Sequence, residues 1–176
     1  MLESVGQRAH YQGASMAAIA VHERRMQLQA CRTCVRKAVT AVQTSRSLWE
    51  EAVNEGKSAL GSLCNTHLRL AHLPALNLKN LKQVPGISTA AGLKLFNMKQ
   101  EEQLKLCQAV TALEGAASTM AEASLSVQQQ AAAASASLQT AHVFTCLSID
   151  TISQMIDQLV ATYAAQLQVR TLHGGS

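Results

Sequence analysis

Apolar residues recur along most of this chain at alternating steps of three and four, the spacing of a helical face that packs against other helices. One run passes through Ala17, Val21, Arg24, Leu28, Cys31, Val35, Ala38 and Val42. A second passes through Trp49, Val53, Gly56, Leu60, Leu63, His67 and Leu70. Ser47 and Glu50 stand ahead of it as an S-x-x-E capping box, and Pro74 stops it. The phase carries through Ser45–Ser47, so one bent helix is an alternative, but the box favours two helices. A third run, from a helix opening near Asn97, passes through Leu106, Val110, Leu113, Ala117, Met120, Ser124, Val127, Ala131, Ala134, Leu138 and Ala141. It thins to small residues over 128–141, an alanine–glutamine segment that keeps helix propensity but buries little area, so a loop there is an alternative. A fourth begins near Ser148, which can cap it, as can Asp150. It places Ile149, Ile152, Ile156, Leu159, Tyr163, Leu167 and Arg170 on one face and ends at Gly174 and Gly175.

Between these runs the pattern lapses twice. Residues 1–14 carry Gly6 and Gly13 among mixed polarity and read as a flexible end. Residues 73–96 hold both prolines of the chain, with Leu76, Leu78 and Leu81 placed to pin an ordered connector onto the helices. What remains, 15–172, is expected to form a single all-α domain. Its expected architecture is an antiparallel bundle of about four long helices with coiled-coil-like packing.

Composition sharpens this picture. Apolar residues make up 48% of the 176 positions but aromatics only 3%, so the core has to be built from Leu, Val, Ile, Ala and Met. Two prolines leave helix propagation almost uninterrupted. Fifteen basic residues against eleven acidic ones give +4, a mild excess that does not predict direct contact with nucleic acid. No segment approaches the roughly 20 consecutive apolar residues of a membrane span, and the first twenty residues lack the pattern of a secretory leader. The expected location is the cytoplasm and nucleus. Five cysteines, an odd number scattered over helical segments, fit small apolar residues in a reducing compartment.

Candidate chemistry is sparse. Cys31 and Cys34 form C-R-T-C, but no second pair and no histidine pair accompanies it, and zinc needs about four ligands. A redox C-x-x-C opens a helix after a strand, and no strand pattern precedes this one. Buried or half-buried helical thiols are the simpler reading. His67 on the second seam reads as a hydrogen-bonded core histidine, and His67 with His72 lacks a third ligand. Trp49 and Tyr163 are rare aromatics on seam faces, suited to anchor a core or a partner surface. Arg24, Arg25, Arg32, Arg36 and Lys37 wrap the first helix as a solvated face, with an acidic partner or RNA surface as the alternative. Phosphate-binding glycine loops and nucleophile elbows are missing, so neither catalysis, a cofactor nor a metal is expected.

Three segments together resemble one family. L-W-E-E-A-V from Leu48, followed by A-L-G-S-L-C-N and L-R-L, is similar to that family's capped helix. P-A-L at 74–76 with Leu81 and Lys82 is similar to its connector. Ser148, Ile149, Ile152, Ile156, Leu159, Tyr163 and Arg170 match its closing helix at the same intervals. The family is the small ribosome-maturation adaptor first catalogued in humans as an open reading frame of chromosome 1. It works beside the cyclin-dependent-kinase-interacting protein in a AAA ATPase complex. The sister protein is resembled more faintly, through Lys105–Cys107 and the spacing of Phe144 and Tyr163. The link to P-A-L is shorter here than in the family, and 128–141 departs from it. The resemblance implies a non-catalytic adaptor that helps dock the ATPase onto cytoplasmic precursors of the large ribosomal subunit. Its implied partners are the AAA ATPase subunits and a second small helical adaptor, with indirect association to pre-ribosomal particles. Candidate contact residues are Leu48, Trp49, Leu60, Leu63, Ile156, Leu159, Tyr163 and Arg170. The sustained helical seam fits equally a structural coiled-coil subunit of a cytoskeletal, ciliary or tethering assembly.

Overall fold

The computed structural model describes the backbone of residues 3–75, 85–134, 142–144 and 146–172, and side chains within 18–74, 85–134, 142–144 and 146–169. Three helices hold nearly all of them: α1 (Glu3–His72), α2 (Ile87–Ala133) and α3 (Ile149–Leu172). All three are packed helices, as the apolar spacing predicts, but the expected count of about four is not met among the described residues. The reason is at Ser47. α1 runs through the capping box without a break, because the seam keeps its phase there and Ser45 is itself buried in it. Glu50 does not serve the box; its carboxylate accepts a hydrogen bond from Arg46 Nε at 2.9 Å, one turn back. A serine inside a helix costs only about half a kcal/mol relative to alanine, too little to break a continuous seam. Residues 1–14, expected as a flexible end, carry helical backbone from Glu3 onward. No proline precedes residue 74 to stop it.

α1 ends where the sequence says it should, at His72, with a single 3-10 turn over Leu73–Ala75 around Pro74. The connector proves shorter than 73–96, because α2 opens at Ile87 rather than near Asn97. Pro85 and Gly86 form a turn directly ahead of α2, with Gly86 at φ 78°, a positive φ that side chains other than glycine adopt at a cost. The Gly86 carbonyl then accepts from the Ala90 amide at 2.9 Å, closing the first turn of α2. Leu76, Leu78 and Leu81 lie outside the described residues, as do Leu138 and Ala141. α2 persists through residues 128–133, so that part of the alanine–glutamine segment is helix.

Contacts group the chain into two units, residues 1–43 with 119–176, and residues 44–118. In the second unit α1 and α2 form an antiparallel pair. Gly56 faces Leu106 and Ala109, whereas Leu73 faces Gly92. The buried positions here are not quite those expected. Ala52, Ala59 and Thr66 are buried, while the neighbouring Leu60 and His67 are exposed and Val53 is only half-buried. The seam thus reads Cys31, Val35, Ala38, Val42, Ser45, Trp49, Ala52, Gly56, Ala59, Leu63, Thr66 and Leu70, an unbroken alternation of four and three. On α2, likewise, Ala109 and Ala116 are buried where Val110 and Ala117 are half-buried. Small residues occupy the seam because the helices approach closely. A methyl group placed on Gly56 would sit 3.5 Å from Ala109 Cβ, ordinary contact with no room for more. Gly56→Ala should therefore fit and raise stability by about 0.5–1 kcal/mol through helix propensity, read as a higher urea midpoint.

The first unit packs α1, the end of α2 and α3. Cys34 Sγ lies 3.5 Å from the Ser126 carbonyl, and Gln130 Nε2 donates to Cys31 Sγ at 3.7 Å, so α1 and α2 run antiparallel here too. The core gathers Cys31, Val35, Ala38 and Val42 with Val127, Val143, Ile149, Ile152 and Ile156. Val21, expected on the seam, is exposed, as are Ile19 and Met26. α2 ends one turn beyond Gln130, so the start of α1 outruns it. On α3, Ser148 acts as the expected cap: its Oγ accepts from the Thr151 amide at 3.2 Å. Ser148→Ala should cost about 1 kcal/mol, measurable as a lower thermal midpoint. Asp157 joins α3 to α2, its carboxylate accepting from the Ser124 hydroxyl and from Gln128 Nε2.

Candidate docking groove

An open apolar groove of about 790 Å³ runs between α1 and α3 within the first unit. Its α1 wall is Val35, Val39 and Val42, and its α3 wall is Ile152, Met155, Ile156 and Leu159. Phe144 and Leu147, from the segment ahead of α3, close one side. Each wall follows from a helical stripe wider than one seam. Val35 and Val42 belong to the buried seam, and Val39 stands one turn beyond Val35, outside it. Val39 is 39% exposed, Leu159 39% and Met155 57%. Three large apolar side chains so open to water, around a floor of buried ones, form the kind of patch that marks interaction surfaces.

Residues 142–144 and 146–148 are joined through their own backbone and held by α1. Val143 N donates to Leu147 O at 2.9 Å, and His142 and Ser148 form an isolated antiparallel bridge. Arg32 Nε donates to the Val143 carbonyl at 2.7 Å. One turn on, the Arg36 guanidinium lies 6.0 Å from the centre of the Phe144 ring, within cation–π range. Arg32 and Arg36, expected on a solvated face, are thus the clasp that seats Phe144 beside the groove. Arg36 remains exposed and is the charged member of the groove lining.

Of the eight contact residues expected from sequence, Ile156 and Leu159 line this groove, Ile156 buried and Leu159 partly open. Tyr163 is half-buried one turn farther along α3. Arg170 belongs to α3 by its backbone, but its side chain lies outside the described residues. Leu48, Trp49, Leu60 and Leu63 belong to the second unit: Trp49 is buried, Leu63 half-buried, and Leu48 and Leu60 are exposed. Val39, Phe144, Leu147 and Met155 are not among the contact residues expected from sequence, and Arg36 enters there only through the alternative of an acidic partner or RNA surface for the basic face. The widened stripes at 35–39–42 and 152–155–156–159 were the available signal for the walls. Nothing in the sequence ties Phe144 to α1.

Cys31 and Cys34 fit a packing role, whereas Cys64, Cys107 and Cys146, expected as small apolar core residues, are exposed. Cys31 is 1% exposed in the core, and Cys34 is half-buried with its sulfur against Ser126. His67, expected as a core histidine, is exposed, because Thr66 occupies the seam position. Among the described residues no three His, Cys, Asp or Glu side chains come together as a metal group. No helix among them is long and apolar enough to cross a membrane. Lys105 has its pKa raised by a hydrogen bond and charge from Glu102, but Lys105 is a surface residue of α2 in the second unit. Comparison of the chain with protein-family models, with curated proteins and with solved structures finds no match. The class that fold and site define is an all-helical protein with an open apolar groove.

Proposed function

We propose that this chain is a non-catalytic adaptor subunit of a AAA ATPase complex acting in cytoplasmic maturation of the large ribosomal subunit, present in cytoplasm and nucleus. The reading joins the family resemblance to one observation, the apolar groove between α1 and α3. Ile156 and Leu159, two residues through which the closing helix resembles that family, line it. An adaptor needs a surface that presents apolar side chains in fixed positions and no reaction centre. The groove, clasped by Arg32 and Arg36, is such a surface. Affinity purification of the tagged chain from its own cells, read by mass spectrometry, tests this. AAA ATPase subunits and a second small helical protein should be recovered, and loss of the chain should stall large-subunit maturation.

A second reading, a structural coiled-coil subunit, draws support from the uninterrupted four–three seam of α1 from Cys31 to Leu70. Recovery of tubulin, motors or membrane tethers without an ATPase would select it.

A further inference from the structure

We infer that the groove between α1 and α3 receives an amphipathic helix of another protein, with carboxylates at the end of that helix that meets Arg36. The inference deepens the adaptor reading by naming the chemistry of the partner at the same site. Its walls are two rows of side chains at three–four spacing, Val35–Val39–Val42 and Ile152–Met155–Leu159. Two such rows form the ridges and holes that accept the knobs of one further helix, as in a four-helix bundle lacking one member. The α1 row from Val35 to Gln43 is about 12 Å long at the helical rise, so the occupant contributes roughly two turns.

Charge selects among occupants. Arg36 lines the groove at its Phe144 end, Arg32 stands one turn away, and among the described residues no carboxylate lines it. The other end, at Gln43 and Leu159, is uncharged. A second copy of this chain seated face to face would bring no carboxylate to Arg36, since a two-fold contact uses one patch twice and the described lining holds none. An acidic partner helix supplies one. Its own C-terminal end, which carries the negative half of the helix dipole, is favoured beside Arg36 for the same reason. The occupant is therefore a helix with Leu, Ile or Met at three–four spacing and Asp or Glu near its C-terminal end.

The test uses the purified whole chain and a displayed library of helical peptides of about 18 residues, roughly five turns. Apolar residues are held at three–four spacing, and all other positions are drawn from Glu, Lys, Gln and Ala. Enriched peptides should be net acidic, with their carboxylates in the C-terminal half. The best of them, made synthetically, should lose roughly tenfold or more in affinity, about 1.4 kcal/mol, for the Met155→Glu/Leu159→Glu chain. Arg36→Glu, at an exposed position, should turn the preference toward lysine-bearing peptides and serves if the double variant does not fold. Absence of enrichment, enrichment of basic peptides, or affinity indifferent to both variants would overturn the inference. So would sedimentation showing a wild-type dimer that the double variant separates, which would make a second copy the occupant. Because only chain and peptide are present, this outcome stands apart from whether an ATPase is recovered from cells.

Discussion

Replacing Trp49 by alanine should lower the stability of the protein by about 3–5 kcal/mol, the range for a large aromatic removed from a core. Trp49 is the largest side chain in the chain and is 3% exposed. The seam around it offers little to fill the space it would leave. Ser45, Ala52, Gly56 and Ala59 are its neighbours along the α1 seam, and none has a side chain long enough to swing into a tryptophan-sized void. Partial collapse is what moderates such losses, and here it would require the helices themselves to move. For a chain of this length each kcal/mol corresponds to about 2–4 °C, so the thermal midpoint should fall by roughly 6–20 °C. Circular dichroism at the helical band, followed through heating, reads it directly. Trp49→Phe keeps most of the ring area and should lose less than half as much. Unchanged melting with weakened partner binding would place the indole on a recognition face instead, contrary to its burial.

The helices were legible in the sequence because helix formation is local and their apolar spacing repeats many times. Pro74 and Ser148 act where their chemistry says they should, since a missing N–H and a capping hydroxyl have effects confined to one turn. The phase of the seam beyond Trp49 was less legible. Choosing the more apolar member of each adjacent pair selects Val53 and Leu60, whereas the structure buries Ala52 and Ala59. Hydrophobicity ranks side chains by area, but a close helix pair selects them by size, and that depends on which residues stand opposite. Ala109 across from Gly56 cannot be inferred from α1 alone. The Ser47–Glu50 box misled for a related reason. A cap is a local option, and the helix on either side of it was held in one phase by packing. The groove was half legible. Ile156 and Leu159 follow from periodicity, but the clasp of Arg32 and Arg36 on 143–144 joins residues more than a hundred positions apart, and no local pattern encodes it.

Ile156→Ala and Leu159→Ala should separate what holds the first unit together from what it presents. Ile156 is 7% exposed and belongs to the core that joins α3 to Val35, Ala38 and Val42. Its truncation should cost about 2–5 kcal/mol, the range for a buried isoleucine. Ile149 and Ile152 pack in the same cluster as branched, conformationally stiff side chains, which limits repacking into the gap. Leu159 stands one turn short of Tyr163 and is 39% exposed, so its truncation should cost less than about 1 kcal/mol. Denaturant titrations of the two variants, compared at equal slope, measure the difference. The order of effects should reverse for the acidic helical peptide under conditions where both variants remain folded. Leu159→Ala removes a knob's contact outright, while Ile156→Ala mainly deepens the floor. Equal stability losses at both positions would mean that Leu159 is covered in solution, and the groove would then be part of the closed core rather than a seat for a partner.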